Sequence, residues 1–319
     1  MEVSDHHPLL KIFGLGSSRV LAASVAECLG LELEPLDEEI FPDGEGKVRP
    51  LNSVTGKDVV LFQSMSNEPG KSPDQKITEM LILLSLCKDY GVRSVTAILP
   101  YFSYSRSDQR KDFQDPLVLK YLAHLYEAAG LQRILTLDVH NIAAFENAFH
   151  CLCLNLEAAP IFCEHVKQMH LSGPVVVMSP DLGGLKRAEK FRKILEISLG
   201  QPVSSVFLEK YREKEGLFGS TSLSSVKGSN VLIYDDMIST GKTVLRAAQA
   251  LHQAEARSVT VLATHGLFSE KKDELLNSDL VDQFIVTDSN PMLASPVFGN
   301  FSKLRIISCA KILAEGLRQ

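Results

Sequence analysis

Six short runs, rich in apolar and β-branched residues at consecutive positions, constrain this chain more than any other feature. They are Val59–Phe62, Val95–Leu99, Ile134–Leu137, Val175–Met178, Val231–Tyr234 and Val259–Ala263. A strand with one wet face alternates apolar and polar residues. A run that does not alternate is buried on both faces, as in a parallel sheet covered by helices. Helix-like patterns lie between the runs, for instance at Lys76–Tyr90 and Thr243–Ala256. Strand, helix, strand at this rhythm predicts an α/β protein with mainly parallel sheets flanked by helices.

The pattern also occurs twice. "GKDVVLFQS" (56–64) echoes "GSNVLIYDD" (228–236), and "RSVTAILPYFSYS" (93–105) echoes "RSVTVLATHGLFS" (257–269). Near the start of each half, "PLLKIFGLGSSR" (8–19) parallels "PVVVMSPDLGGLKR" (174–187). Similar offsets between the matching segments predict two related α/β domains, 1–157 and 158–301. The last helix-like segment, Ser308–Leu317, can pack on either half; with its approach from residue 302 it is grouped with the first. At 319 residues, 45% of them apolar, the chain has the material for two cores.

A net charge of −6 argues against a surface built to grip nucleic acid. The six cysteines, Cys28, Cys87, Cys151, Cys153, Cys163 and Cys309, show neither Cys-x-x-Cys pairs nor zinc-type spacing with His, as in a reduced, cytoplasmic chain. The N-terminal MEVSDHHPLL lacks the basic start and apolar core of a signal peptide. No apolar run approaches the ~20 residues that span a bilayer. Neither a membrane nor a nucleic acid is an expected partner.

Two phosphate-loop patterns can be tested by counting. In "VLIYDDMISTGKTV" (231–244), a Walker A loop would need glycine five positions before Gly241, where this chain has Asp236. "GLGSSR" (14–19) has Arg19 where a dinucleotide fingerprint needs its third glycine. What remains is Asp235 and Asp236 at the end of a buried strand, then Ser239, Thr240, Gly241, Lys242 and Thr243 opening a helix. Hydroxyls and N–H groups at a helix N-terminus suit a monoester phosphate. The two acids suit sugar hydroxyls or a hydrated metal. An Asp cap beside a Ser/Thr turn is the bland alternative, but paired acids without a ligand or cation are costly. The pattern points to a sugar phosphate. A second candidate, "SYSRSDQRKDFQDP" (103–116), reads as a mobile charged loop after a buried strand.

The acid pair and its Ser/Thr-Gly loop resemble the ribose-5-phosphate loop of the type I phosphoribosyltransferase fold. Together with "FPDGE" (41–45), "PYFSYSRSDQRKD" (100–112), "DVHN" (138–141), "SPDLGG" (179–184), "EKYR" (209–212) and "THGLFS" (264–269), the whole chain resembles the ribose-phosphate pyrophosphokinases. The resemblance implies a Mg²⁺-dependent enzyme that uses ATP and ribose 5-phosphate. His140 and Asp181 would approach Mg²⁺ bridging the ATP phosphates, and Lys210 and Arg212 would neutralise charge during transfer. Phe41, Asp43, Glu45, Arg106, Asp108, Arg110 and His140 would bind ATP, with Lys111 closing over the phosphates. Ribose 5-phosphate would bind Asp235, Asp236 and 239–243. In the family the Phe41 region reaches a neighbouring subunit, which implies a homo-oligomer, a dimer or a multiple of one.

Three departures stand out. Ser107 replaces the glutamine that many members place between Arg106 and Asp108. Lys242 stands at a usually small position in a loop of archaeal type. The sequence stops at Gln319, where the common class continues into a regulatory tail, so phosphate activation and ADP allostery are not expected. Two rivals share the fold: a phosphoribosyltransferase, which needs only one such domain, and a non-catalytic regulatory homologue.

Overall fold

The computed structural model describes residues 9–207 and 226–319. The chain divides into two compact units. The first comprises the described residues up to Glu157, together with Ser289–Met292 and Ser308–Gln319. The second comprises Ala158–Asp288 and Leu293–Ile307.

In the first unit, β1 (Leu10–Gly14), β4 (Asp58–Phe62), β5 (Ser94–Leu99), β6 (Arg133–Leu137) and β7 (Leu152–Leu156) form a parallel sheet in that order. Helices α1 (Arg19–Cys28), α2 (Pro73–Asp89), α3 (Val118–Ala128), α4 (Ile142–Ala148) and α9 (Ala310–Arg318) belong to the same unit. The core collects Phe13 and Leu61 from the strands, Met80 and Leu84 from α2, Leu122 from α3 and Phe145 from α4. Helix α2 starts where its sequence says it should. Ser72 and Gln75 form a reciprocal capping box, and Pro73 occupies the first turn, where its missing N–H costs nothing. An antiparallel hairpin, β2 (Leu36–Ile40) with β3 (Gly46–Pro50), presents residues 41–45 as its turn.

In the second unit, β8 (Val175–Ser179), β9 (Val203–Phe207), β10 (Asn230–Ile238), β11 (Ser258–Gly266), β12 (Gln283–Thr287) and β13 (Leu304–Ile307) run parallel in the order β13-β12-β11-β10-β8-β9. The helices are α5 (Ala159–Gln168), α6 (Leu185–Leu199), α7 (Lys242–Gln253) and the short α8 (Lys272–Leu276).

Each of the six apolar runs is a strand, and the α/β class with parallel sheets is what the sequence predicts. The echo recurs in the topology. Strand β4 lies between β1 and β5 as β10 lies between β8 and β11. A bridge from Ile12 to Leu33 even puts a chain segment beside β1 in the place that β9 takes beside β8.

Three details differ from the sequence reading. β10 does not end at the acid pair but continues through Met237 and Ile238, because ladder pairs with His265 and Gly266 of β11 extend past the apolar run. Helix α7 stops at Gln253, short of Ala256, since Glu255 takes a left-handed conformation, φ 58°. Residues 302–307 stay with the second unit, where β13 closes the sheet edge, and only the segment from Ser308 belongs to the first.

Candidate active site

In parallel sheets, ligands bind outside the carboxyl ends of the strands. The second unit places the most chemistry there. Asp235 and Asp236 are consecutive residues of β10, so their side chains would ordinarily diverge. Both nevertheless accept from one nitrogen, Nη1 of Arg187, at 3.0 and 3.2 Å. Asp235 Oδ1 also takes the Asp236 N–H at 2.9 Å. The carboxylates are deeply set, with side-chain exposures of 16% and 3%. Burial, followed by the adjacent Asp236 charge, pushes Asp235 well above the usual carboxylate range; Arg187 and the Asp236 N–H pull the other way.

Arg187 lies in the first turn of α6, just after the turn formed by 181–184. In that turn the Asp181 carboxylate accepts from Gly184 N at 3.1 Å, and the Ser179 hydroxyl donates to Asp181 O at 2.7 Å. A Cβ at Gly184 would lie 2.6 Å from Ser179 Oγ and 3.6 Å from Asp235 Oδ1. Glycine therefore lets the turn close on Ser179, with the acid pair at ordinary contact distance.

Beyond β10, Ser239 and Thr240 lead to Gly241, whose φ of +74° suits glycine. Its missing side chain also makes room for Leu275, which would meet a Cβ at 2.4 Å. The segment after β11 wraps this loop. Leu267 N and Phe268 N donate to Ile238 O, Ser269 N donates to Ser239 O, and the two serine hydroxyls lie 3.1 Å apart. Lys242 extends to Glu270, 3.7 Å away, so the unusual lysine is drawn to an exposed pair. Thr243 completes the first turn of α7, whose N–H groups lack intrahelical acceptors.

The first unit carries the other candidates. His140 is exposed in the turn after β6, next to Asn141. Asn141 caps α4 by accepting from Ala144 N, and its amide donates to Asp108 at 2.7 Å. This bond ties the charged loop to the 138–141 turn. Further along the loop, Asp115 accepts from Lys111 N and Asp112 N, and Arg110 Nε donates to Asp115 O. Arg106 is exposed at the loop's start. Phe41, Asp43 and Glu45 sit in the hairpin turn, fixed by Phe41 N to Glu45 O at 2.8 Å and Glu45 N to Asp43 Oδ1 at 3.1 Å. Phe41 is 37% exposed and Ile40 63%, high values for large apolar side chains.

Lys210 and Arg212 lie outside the described residues. His140 and Asp181 belong to different units. Among the described residues no group of three or more His, Cys, Asp or Glu side chains could cage a metal. The Asp181 carboxylate is of a ligand type that Mg²⁺ takes, since that ion keeps waters and substrate phosphates and uses only one or two protein carboxylates. All six cysteines are free thiols, and no helix among the described residues is long and apolar enough to cross a membrane.

Arg187 escaped the sequence reading. Two adjacent buried acids call for a cation, but only the pairing of β8 with β10 shows that "SPDLGGLKR" supplies it.

The second unit thus sets a buried acid pair ahead of a Ser/Thr-Gly helix start, at the carboxyl edge of a parallel sheet. Comparison with known proteins narrows the class. The model for the N-terminal domain of ribose phosphate pyrophosphokinase matches residues 10–130, and that for a phosphoribosyl synthetase-associated domain matches 209–319. The ribose-phosphate pyrophosphokinase of Prochlorococcus marinus is 32% identical over 97% of this chain and 89% of its own. That of Campylobacter jejuni is 31% identical over 97% and 95%. The crystal structure of phosphoribosylpyrophosphate synthetase from Mycobacterium smegmatis superposes with a TM-score of 0.84, at 28% identity and 97% coverage of both chains. The chain belongs to the ribose-phosphate pyrophosphokinase family and is an enzyme of that type, a transferase of nucleotide biosynthesis.

Proposed function

We propose that this enzyme transfers the β,γ-diphosphoryl group of ATP to the anomeric hydroxyl of ribose 5-phosphate, giving 5-phosphoribosyl 1-diphosphate and AMP. The observation that carries the reading is the buried Asp235–Asp236 pair, bridged by Arg187 and set just ahead of the α7 N-terminus. The 5-phosphate takes the Ser239–Thr243 hydroxyls and the first-turn N–H groups of α7, whose dipole favours an anion. The ring hydroxyls donate to Asp235 and Asp236, and charge-assisted bonds of this kind are the strong ones.

ATP is assigned to the Asp181–Gly184 turn, His140, Arg106, Asp108 and Arg110, with its adenine on Phe41, Asp43 and Glu45. The anomeric oxygen attacks the β-phosphorus. The bond from that phosphorus to the α,β-bridging oxygen breaks, AMP leaves with the oxygen, and the anomeric proton passes to solvent. Mg²⁺, held by Asp181 and His140 with the ATP phosphates, would supply charge neutralisation when bound. Lys210 and Arg212 would supply positive charge to the transferring group; transfer of this kind depends on alignment and neutralisation more than on covalent help. No side chain is needed as general base.

A phosphoribosyltransferase would share the β10 loop but have no use for the doubled unit. The exposed Phe41 turn fits a homo-oligomer in which it enters a neighbouring subunit. The test incubates the protein with ATP, Mg²⁺ and ribose 5-phosphate and follows phosphorus NMR. The expected products are AMP and a sugar-bound diphosphate. ADP with a new sugar monoester would overturn the reading.

A further inference from the structure

Arg187 has no assigned contact with either substrate, yet it links the 181–184 turn to the acid pair of the second unit. It rises from the first turn of α6, directly after the Asp181–Gly184 turn, and a single guanidinium nitrogen touches both acids of β10. We propose that Arg187 is a positioning residue for the sugar, tying the Asp235 and Asp236 carboxylates into one fixed pair of acceptors for a vicinal diol. The inference rests on the ribose 5-phosphate reading of this loop.

The physical case begins with donor and acceptor roles. Two neighbouring hydroxyls of a sugar each have a proton to donate, and an ionised carboxylate can only accept. A diol is therefore best read by two ionised carboxylates side by side. Two buried carboxylates repel, however, and one tends to take up a proton and become a donor. The groups facing Asp235 act in that direction: burial and Asp236 both oppose its ionisation, and Arg187 is the side chain that favours it.

Geometry gives the second part. Consecutive strand residues point to opposite faces, so the two carboxylates have no intrinsic reason to converge. Their shared bonds to Nη1, at 3.0 and 3.2 Å, fix the convergence. The cation is itself poorly adjustable, because its side chain is only 21% exposed and its helix starts directly after Gly184, packed on Ser179. The same short stretch of chain, 181–187, thus shapes the turn assigned to the diphosphate and aligns the acids assigned to the ribose.

The test uses Arg187→Met and Arg187→Lys in the full chain, with ribose 5-phosphate and 2-deoxyribose 5-phosphate as alternative acceptors and ATP titrated separately. For Arg187→Met the KM for ribose 5-phosphate rises about 30-fold, the scale of a lost charge-assisted hydrogen bond. The KM for ATP moves less than about 3-fold, since its assigned contacts lie elsewhere. The preference for ribose over 2-deoxyribose 5-phosphate in kcat/KM falls about 10-fold, and Arg187→Lys restores most of it, because a point charge still bridges the acids. A merely structural arginine would not change the choice between the two sugars.

Thermal melts accompany the kinetics. If Arg187→Met does not fold, the lysine variant decides, with an expected rise of about 5-fold in the ribose 5-phosphate KM at constant ATP KM. A folded variant with unchanged ribose 5-phosphate KM and unchanged sugar preference overturns the inference, as does an equal rise in both KM values. A wild-type protein that makes no sugar diphosphate would instead overturn the proposed function.

Discussion

Strand β4 of the first unit and β10 of the second hold equivalent places in their sheets, yet their ends have opposite fates. β10 carries two acids near its end and is followed by a three-residue loop and a helix start. β4 is followed by Gln63, Ser64, Met65 and Ser66, all buried, and by a longer loop before α2. There the chain's own groups fill the space. Lys76 of α2 is 1% exposed and donates to Ser64 O and Ser66 O, with Glu68 3.5 Å away. Burial lowers its pKa, and Glu68 works against that shift. The Ser64 hydroxyl donates to Ser289 O, and the Ser66 hydroxyl to Asn290 Oδ1. On the neighbouring β1 loop, Gly16 N donates to the Glu38 carboxylate and Ser17 Oγ bonds Glu68. An N–H that could meet a ligand's phosphate in an open copy meets a glutamate of the protein itself. After β4 the chain's own groups meet the loop; after β10 a buried acid pair remains.

The largest expected effect breaks this contrast directly. Asp236→Asn raises the KM for ribose 5-phosphate about 100-fold and leaves the ATP KM nearly unchanged, as expected when a buried charged acceptor is lost. Ser64→Ala, at the matching place in the first unit, changes neither KM. Steady-state kinetics with each substrate varied in turn decides, and equal losses for both substrates in Asp236→Asn would show that the loop is not dedicated to the sugar.

A smaller effect concerns the two glycine turns. Gly241→Ala combines a left-handed backbone with a Cβ forced against Leu275 and costs about 3 kcal/mol. Gly70, in the first unit's longer loop, has φ +79° but open space around it, so Gly70→Ala costs only about 1 kcal/mol. Denaturant titration of both variants measures the difference; equal costs would mean that the Leu275 contact is unimportant.

The smallest effect is a pH dependence. The folded-state pKa of Asp235 lies above its unfolded value, so the folded protein binds the extra proton more readily. Its contribution to stability therefore falls as pH rises from the ordinary carboxylate range through the raised value. Asp235→Asn removes that cost. Its melting temperature should exceed the wild type's by about 2 °C above the window, with the gain fading toward pH 4. A gain that grows as the solution is acidified would contradict the assigned direction.

The strands were legible because burial on both faces writes itself as an unbroken apolar run. The duplication was legible because both sheets need such runs in the same order. Polar residues inside strands hid the true length of β10 and β11, since Asp235 and His265 look like loop residues until the ladder pairs them with Ala263 and Met237. The hairpin carrying Phe41 was also hard to see: LDEEI and GKVRP alternate too few apolar residues to announce strands. The sugar-phosphate loop could be read from its residue types alone. Arg187 could not, because a lysine and arginine opening an amphipathic helix look like solvated charge. Its meaning emerges only when β8 pairs with β10 and brings the start of α6 beside the acids.

The division of the chain has a consequence for anyone who would take the enzyme apart. The backbone passes between units after Glu157, Asp288, Met292 and Ile307. A fragment cut once after Glu157 would forfeit α9, whose Arg318 donates to Cys28 O and whose Gly316 carbonyl accepts from Arg133, together with the 289–290 segment that occupies Ser64 and Ser66. The remainder would carry those same pieces as stray ends. No single cut therefore separates the two units: the echo runs in tandem along the sequence, but the segments of each unit do not.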